Sequence, residues 1–431
     1  MIQTTYESTH QQRYRQAGGA WDLPPLDVLL SARADHDGGA ELVDGVTGAR
    51  ARADEIGATA ARWLAANGVR AGDAVAWQLP NSLAAVALYR GCWRLGAIAV
   101  PVHHLANRSE LDAVAAAVSA RVVVTAQRRD EVLAGRVTGA STDRVWPAHD
   151  EDLRHAEASD VAAVLFTAGS TGHPKGVLHT HQTLGYKARL MPSVHGLTSQ
   201  DTVLMPAPLA HISGLLNGVL IPQVVGMTCL LMPKWEPAVA LDLIETYEVT
   251  FMVGPPTFFV SLMNDPSFSR SRVRSLRLIS TGGAGVTPAF VERAANELGA
   301  RVKRSYGSTE APTVATSSVH DPWIFGRDFD GRAVGQAELR IGDDGELLVR
   351  GPEVCAGYLD PADNGTAFVD GGWFRTGDRA TITEDGWLTI TGRLKDIIIR
   401  GGENISVTEV ESVIAAHPLV AECAVAVSYT H

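Results

Sequence analysis

Hydrophobic and polar positions between about residues 40 and 310 follow two alternating periods, that of helices and that of strands. The stretch 54–67 carries one apolar helical face, formed by Ile56, Ala60, Trp63 and Leu64. Short apolar runs predict strands at 74–79, 97–102, 121–125, 161–166, 202–205, 224–232 and 276–280. A further helix is predicted over 109–119, where Ser109 and Asp112 have the spacing of a capping box. Strands that alternate with helices predict parallel sheets covered on both faces.

The pattern changes after about residue 330. Residues 341–351 and 383–393 predict antiparallel strand pairs around Asp-Gly turns. Beyond Arg393, a segment with basic residues and a glycine pair leads into a helical stretch and a last apolar run. We therefore predict an α/β protein with a large domain of doubly wound sheets over 1–393. Its residues from about 331 form a small antiparallel β subdomain, and the pattern changes again within 394–431.

One uncharged stretch, 214–233, is nearly long enough to span a bilayer. Pro222 interrupts it, so a buried helix followed by a buried strand is favoured over a membrane span. The polar N-terminus lacks the apolar segment of a secretory signal. These features predict a cytoplasmic protein without a membrane span.

The composition is that of an ordinary globular protein, with 45% hydrophobic and 20% charged residues. The net charge of −11 argues against nucleic acid as a partner, because its backbone would repel such a surface. The four cysteines lie far apart, without the spacing of a metal site, and reduced thiols are expected. The composition does not predict an oligomeric state.

A loop rich in Gly, Ser, Thr, Pro and Lys follows the predicted strand at 161–166. Its glycines allow backbone N–H groups to approach a ligand. Its hydroxyls and its positive charge are those of Thr167, Ser170, Thr171 and Lys175. The spacing differs from the ordinary P-loop, because Pro174 precedes the lysine and Gly176 follows it. The composition favours phosphate binding, although a flexible surface turn would have a similar one.

Three later stretches carry polar groups suited to the rest of a nucleotide. In RSYGSTEAP (304–312), Tyr306 offers a flat face for a base, and Thr309 and Glu310 offer oxygens for a phosphate and a divalent metal. In FRTGDRA (374–380), Asp378 offers acceptors for a ribose diol. TGRLKDIIIRGGENIS (391–406) joins basic residues to a glycine pair. Taken singly, these stretches also fit a polar loop, a turn aspartate and a charged hairpin.

Together and in this order, the four motifs resemble those of the AMP-forming adenylate-forming enzymes, the superfamily of AMP-dependent synthetases and ligases. It includes acyl-CoA synthetases, peptide-synthetase adenylation domains and luciferases. FTAGSTGHPKGV is similar to the family's phosphate loop, YGSTE to its adenine and metal motif, RTGD to its ribose motif, and GRLKDIIIRGGENIS to its hinge motif. The resemblance runs from about residue 25 to about residue 427.

The resemblance implies a two-step reaction, in which a carboxylate attacks the α-phosphate of ATP, pyrophosphate leaves, and a thiol, usually CoA, displaces AMP from the acyl-AMP. It implies contacts with the β- and γ-phosphates by the loop residues Ser170, Thr171, Gly172 and Lys175, with Thr167 at the start of the loop. It also implies that Thr309 contacts the α-phosphate and that Glu310 binds Mg²⁺. The implied adenine and ribose contacts are Tyr306, Gly283, Ala284, Asp378 and Arg393.

The hinge motif implies that a small C-terminal domain swings about Lys395 between the two half-reactions, with Gly401 and Gly402 along the path of the thiol. Members of the family continue well beyond the hinge and carry a late catalytic lysine there. This chain has a few dozen residues after the hinge, and its final VSYTH departs from the family pattern. The resemblance therefore implies an incomplete, C-terminally truncated α+β domain within 394–431, and we expect marginal order after about residue 395 and impaired adenylation.

The stretch PLAHISG (208–214) is similar to a pattern of acyl- and aryl-CoA ligases and implies that His211 lies near the acyl carboxylate; a structural histidine is the alternative. Amino-acid-activating members place an aspartate in this region, but no acidic residue occurs between Asp201 and Glu236. A simple carboxylic acid is therefore favoured as the substrate. His179 and His181 are interpreted as packing or surface residues rather than zinc ligands.

The sequence therefore predicts an acyl-CoA synthetase that uses ATP, Mg²⁺ and CoA and acts on a medium-chain, alicyclic or aromatic acid. Two alternatives stay open. One is an adenylating enzyme that loads the pantetheine of a carrier protein. The other is an adenylate-binding remnant without turnover.

Overall fold

The structure is a computed structural model of the 431-residue chain. It describes residues 2–16, 18–32, 39–134, 156–167, 174–283, 285–394, 397–400 and 403–406, and the single residues 410, 413, 414, 420 and 425. Within this part of the chain, no helix is long and apolar enough to cross a membrane. Some predicted site residues lie outside the described residues: Ser170, Thr171, Gly172, Ala284, Lys395, Gly401 and Gly402.

Short strands alternate with helices up to Tyr306, as the apolar pattern predicts. The strands are β1 (Glu41–Asp44), β2 (Arg50–Arg52), β3 (Ala74–Gln78), β4 (Ile98–Val102), β5 (Val122–Val124), β6 (Val161–Thr167), β7 (Lys175–Thr180), β8 (Thr202–Met205), β9 (Thr228–Leu231), β10 (Phe251–Gly254), β11 (Leu278–Thr281), β12 (Arg301–Tyr306), β13 (Ala315–Thr316), β14 (Gly331–Ala333), β15 (Glu338–Ile341), β16 (Glu346–Arg350), β17 (Phe368–Val369), β18 (Trp373–Ile382), β19 (Trp387–Arg393), β20 (Ile397–Arg400) and β21 (Glu403–Ser406). The strand predicted at 224–232 begins only at Thr228, because Gly226, with φ of 81°, ends the preceding helix.

The helices cover both faces of the parallel strands. They are α1 (Leu26–Ser31), α2 (Ala53–Ala66), α3 (Leu83–Arg94), α4 (Arg108–Ala117), α5 (Arg129–Ala134), α6 (His181–His195), α7 (Ile212–Gly214), α8 (Ile221–Val225), α9 (Pro237–Tyr247), α10 (Pro256–Met263), α11 (Pro288–Leu298), α12 (Trp323–Asp328) and α13 (Asn364–Ala367). Short 3₁₀ segments lie at Thr9–Arg15, Ala126–Arg128 and Pro361–Asp363, and a π-helical turn at Leu215–Leu220.

The capping box predicted for α4 at Ser109 and Asp112 is wrong. Asn107 caps this helix: its side chain accepts a hydrogen bond from the Glu110 N–H at 3.0 Å, and Glu110 Oε2 accepts one from the Asn107 N–H at 2.7 Å. The two residue pairs have the same spacing, so the pattern alone does not choose between them.

The uncharged stretch at 214–233 forms a buried helix followed by a buried strand, as predicted. Pro222 does not end the helix, however, since α7, the π-helical turn and α8 follow one another without a break. A wider π-helical turn ends at Leu220, and Pro222 is the second residue of α8, one of the first positions of a helix, where its missing N–H costs little. The segment ends only at Gly226.

The larger sheet has 14 strands, in the order β15–β16–β18–β19–β14–β13–β12–β11–β10–β8–β9–β1–β2, with β17 beside β18. Neighbouring strands are parallel from β12 through to β1. From β12 to β15 they are antiparallel, so the predicted antiparallel region continues the parallel sheet through β13. This mixed α/β architecture confirms the predicted fold class.

The smaller sheet has 5 strands, in the order β5–β3–β4–β6–β7, and its last pair is antiparallel. The edge strand β7 also bonds to the segment 356–359: the Ala356 N–H donates to Leu178 O at 2.8 Å, and the Leu359 N–H donates to Gly176 O at 2.7 Å. This pairing brings the beginning of β7 next to a segment that lies between β16 and β17 in the chain.

Aromatic side chains fill the core between α2, α3 and the smaller sheet. Trp63, Trp77, Tyr89 and Trp93 are buried there. Tyr89 packs edge-on against Trp77, with 4.7 Å between ring centroids, and its hydroxyl donates to Leu209 O at 2.7 Å. The core therefore reaches the loop after β8 that carries His211.

Candidate active site

Tyr306, Asp378 and Arg393 come from three different motifs and lie together. Asp378 in β18 and Arg393 at the end of β19 face each other in the ladder. The Tyr306 hydroxyl donates to Asp378 Oδ2 at 2.7 Å, and Arg393 Nε lies 3.3 Å from Asp378 Oδ1. Burial raises the pKa of Asp378, while the hydroxyl and the guanidinium act in the opposite direction. The aromatic ring and the paired acceptor oxygens form one edge of a site.

Thr309 and Glu310 follow Tyr306 in a loop that is fixed from three sides. His179 Nε2 donates to Thr309 O at 2.7 Å, and the Cys355 N–H donates to Glu310 O at 2.8 Å. The Tyr358 hydroxyl donates to Glu310 Oε1 at 2.8 Å. Burial and the Glu310 carboxylate raise the pKa of Tyr358, which keeps it a donor at neutral pH.

Lys175 begins β7, and Thr167 faces it at the end of β6. Lys175 Nζ lies 2.8 Å from Asp363 Oδ1 and 5.3 Å from the centroid of the Tyr358 ring. A cavity of about 430 Å³ opens beside this pair, lined among others by Phe166, Pro174 and Leu359. An anion can therefore reach the ammonium group from solvent.

His211 lies at the N-cap position of α7, at the surface of the loop 206–211. Its ring is 5.2 Å, centroid to centroid, from that of His103, which stacks on His104 at 4.7 Å. Desolvation and the charges of His103 and His104 lower the pKa of His211, so its imidazole is neutral near pH 7. A neutral imidazole donates a single hydrogen bond.

Gly214 and Asn81 shape the loop that carries His211. A Cβ on Gly214 would lie 2.0 Å from Pro208 O, so only glycine allows the backbone to approach this closely. Asn81, at the start of α3, donates to Met205 O at 3.0 Å and to Ala207 O at 2.9 Å and accepts from the Leu209 N–H at 2.8 Å.

The structure thus brings Tyr306 together with Asp378 and Arg393, and it joins Glu310 to Lys175 through Tyr358. Gly283, with φ of 77°, has open space around the position of a Cβ. His179 and His181 are buried and bond to different groups, Thr309 O and the Leu26 N–H, which confirms the packing interpretation.

Sequence reasoning missed several residues that hold these groups in place: Tyr358, Asp363, Asn81, His103 and His104. Tyr358 and Asp363 lie in GYLDPAD (357–363), whose Gly-Tyr and Asp-Pro pairs are typical of a turn. No signal in that stretch indicates that it lies next to β7 and Lys175. The adjacent histidines were visible in the sequence, but only the fold brings them to His211.

Known proteins resemble this chain over most of its length. Residues 51–359 match the family model of the AMP-binding enzyme. The chain is 32% identical to the medium-chain fatty-acid–CoA ligase of Escherichia coli (strain K12), over 99% of this chain and 82% of that protein. It is 32% identical to a feruloyl-CoA synthase of Amycolatopsis sp, over 95% of this chain and 85% of that protein. The ATP-bound structure of MatB from Rhodopseudomonas palustris is similar with a TM-score of 0.78 and 26% identity, over 91% of this chain and 84% of MatB.

These matches confirm the predicted class, an AMP-forming acid–thiol ligase, whose partners are a small-molecule acid, ATP and CoA. The chain belongs to the AMP-binding enzyme family.

Proposed function

We propose that the protein is an acyl-CoA synthetase that activates a medium-chain, alicyclic or aromatic carboxylic acid with ATP and transfers the acyl group to CoA. The convergence of Tyr306, Asp378 and Arg393 carries the proposal, because these side chains come from separate motifs and suit a nucleoside. Residues 1–393 form the AMP-binding domain, and 394–431 contain the hinge.

In the proposed complex, the ring of Tyr306 packs on adenine, with the Gly283–Ala284 backbone on the other side. Asp378 accepts hydrogen bonds from the ribose hydroxyls, and Arg393 donates to them. Thr309 contacts the α-phosphate. The β- and γ-phosphates are bound by the loop residues Ser170, Thr171, Gly172 and Lys175, with Thr167 at the loop's start.

Glu310 fits the role of a Mg²⁺ ligand. One of its carboxylate oxygens is held by Tyr358 at 2.8 Å, which orients the group, and the residue is only half-buried. Mg²⁺ in nucleotide sites takes one or two carboxylates and completes its shell with water and phosphate oxygens. In the described part of the chain, no group of three or more His, Cys, Asp or Glu residues could hold a metal ion, which suits an ion shared with ATP. When bound, Mg²⁺ would neutralise part of the negative charge of the phosphates.

The chemistry needs positioning more than acid–base catalysis. The substrate carboxylate attacks the α-phosphorus, the bond to the bridging oxygen breaks, and pyrophosphate leaves with the electron pair. Lys175 and Thr309 stabilise the charge that develops on the phosphate oxygens. The neutral imidazole of His211 donates one hydrogen bond to the acid and keeps it aligned. In the second step, after the hinge at Lys395 turns, the thiol passes Gly401 and Gly402, loses its proton to water and attacks the acyl carbon; the bond from this carbon to the phosphate oxygen breaks, and AMP leaves with the electron pair.

The choice of a simple acid is supported by the loop around His211. No acidic residue lies between Asp201 and Glu236 to pair with an ammonium group. The two relatives named above are called ligases for a medium-chain fatty acid and for a feruloyl group.

The test is acid-dependent formation of AMP and pyrophosphate, measured with octanoate, cyclohexanecarboxylate, ferulate and 3-phenylpropanoate. Phenylalanine is the matched control for 3-phenylpropanoate, since it adds only an ammonium group. We expect AMP formation that requires both an acid and CoA, and none with phenylalanine. Replacing CoA by a pantetheine-loaded carrier protein tests the carrier alternative. Tight binding of a non-hydrolysable acyl-adenylate analogue without turnover of any acid would contradict the proposal.

A further inference from the structure

One segment of the chain reaches both Lys175, the proposed phosphate ligand, and Glu310, the proposed Mg²⁺ ligand. Residues 356–359 pair with β7, and the 3₁₀ turn Pro361–Asp363 follows. From this segment, Tyr358 bonds to Glu310, and Asp363 forms an ion pair with Lys175. The carboxylate of Asp363 thus occupies one side of the lysine ammonium group, whose N–H donors a phosphate oxygen would also use.

The pairing between Asp363 and Lys175 is well defined but not deeply buried. Lys175 Nζ and Asp363 Oδ1 are 2.8 Å apart, and the side chains of Lys175 and Asp363 are 23% and 31% exposed. Partly exposed ion pairs are weak, so a more highly charged anion can displace one of them. The neighbouring cavity of about 430 Å³ gives such an anion access.

The segment itself is held firmly, so the lysine rather than the backbone has to move. Asn364 Oδ1 accepts from the Tyr358 N–H at 2.9 Å, and the Thr5 hydroxyl donates to Tyr358 O at 2.6 Å. The Tyr6 ring stacks on Phe368 with 3.8 Å between centroids. The N-terminal segment therefore fastens 356–364 against β7.

We propose that Asp363 binds Lys175 when no nucleotide is present, and that the phosphates of MgATP displace it. Asp363 is then a positioning residue that keeps the lysine at the edge of the site and competes with ATP. The proposal rests on the function proposed above, because it takes Lys175 as a phosphate ligand.

The test is Asp363→Asn in the full chain, with the affinity for MgATP measured by calorimetry and KM and kcat measured at saturating acid and CoA. Removing the competing carboxylate is expected to tighten MgATP binding and lower the KM for ATP by roughly two- to fivefold, with kcat little changed. This increase in MgATP affinity is expected to become smaller as the salt concentration is raised, because salt screens the ion pair between Asp363 and Lys175. The Asp363 side chain makes no cap for α13, so the fold is expected to survive; Asp363→Ser is the second variant.

Asp360→Asn is the matched control. Asp360 lines the same cavity, and its side chain accepts from the Ala362 N–H at 2.9 Å, a bond that asparagine can keep. Its substitution is expected to leave the affinity for MgATP unchanged. Equal effects of the Asp360 and Asp363 substitutions would mean that net charge, not the ion pair, is responsible, and would overturn the proposal.

A double-mutant cycle with Lys175→Met separates this inference from the function on which it rests. Lys175→Met alone should weaken MgATP binding, and adding Asp363→Asn should then have no further effect. If Lys175→Met leaves MgATP affinity unchanged, the phosphate role of Lys175 is wrong. If Lys175→Met weakens binding but Asp363→Asn and Asp363→Ser do not strengthen it, the displacement of Asp363 is wrong and the proposed function stands.

Discussion

His179 shows how a buried side chain can fix a reactive loop to which it does not belong. Burial lowers its pKa to about 4, although the bond to Thr309 opposes this, so the ring is neutral at physiological pH. A neutral imidazole has one N–H, and here Nε2 donates it to Thr309 O at 2.7 Å. The carbonyl of Thr309, the residue proposed to contact the α-phosphate, thus depends on a donor from the end of β7.

We predict that His179→Leu raises the KM for ATP about tenfold and changes the KM for the acid little. The partly buried Thr309 carbonyl then lacks its donor, a loss of about 1–3 kcal/mol that the loop relieves by moving. Steady-state kinetics with each substrate varied in turn would measure this.

The control is His181→Leu, which also removes a buried histidine, one whose Nδ1 accepts from the Leu26 N–H at 3.2 Å. It should lower the melting temperature by a similar amount and leave the KM for ATP unchanged. Equal shifts in KM from both variants would show that His179 acts only through stability.

At the scale of elements, hydrogen bonds from a residue outside it hold the loop between β8 and α7 in shape. Asn81 bonds to this loop at Met205, Ala207 and Leu209, and it also donates to Met232 O, after β9, at 3.1 Å. One side chain at the start of α3 therefore fastens the ends of two neighbouring parallel strands. The carboxyl ends of such strands are where α/β sheets place their ligands.

We predict that Asn81→Ala raises the KM for the acid about tenfold and the KM for ATP much less. The substitution frees the loop that orients His211 but leaves the contacts of Tyr306 and Asp378 intact, and small misplacements of positioning groups have large kinetic effects. Asn67→Ala is the control: Asn67 donates to Trp63 O at 2.8 Å, away from this loop. A proportional rise of both KM values for Asn81→Ala would contradict the selective role.

Predictions from the sequence were correct where local signals act alone, and they failed where packing between distant residues decides. Strands β3 and β8 are plain apolar runs, and Tyr306 and Asp378 lie in recognisable motifs, so both the fold and part of the site could be predicted. The role of Tyr358 could not be predicted. Its hydrogen bond to Glu310 joins positions 48 residues apart and depends on the pairing of β7 with 356–359. Asn81 likewise stands in a stretch with no chemical motif, and its bonds span more than 100 residues.

At the scale of the whole molecule, buried neutral histidines link stability to pH. Burial lowers the pKa of His179 to about 4 and that of His181 to about 3, and burial together with the charges of Lys303, Arg277 and Lys187 holds the pKa of His195 well below its usual value. In the unfolded chain these side chains titrate near pH 6.5. Below that pH, the unfolded state therefore binds more protons than the folded state.

We predict that the stability of the protein is fully present above about pH 6.5 and falls as the pH drops towards 4, by about 1 kcal/mol per buried histidine for each pH unit. Melting temperatures measured from pH 7.5 to 5.5 at constant ionic strength should decline, with most of the decline below 6.5, before the carboxylates titrate. His181→Gln keeps an acceptor for the Leu26 N–H but does not titrate, so it should flatten the decline. A melting temperature that stays constant down to pH 5.5, or a decline that His181→Gln leaves unchanged, would show that these histidines do not set the acid limit of the fold.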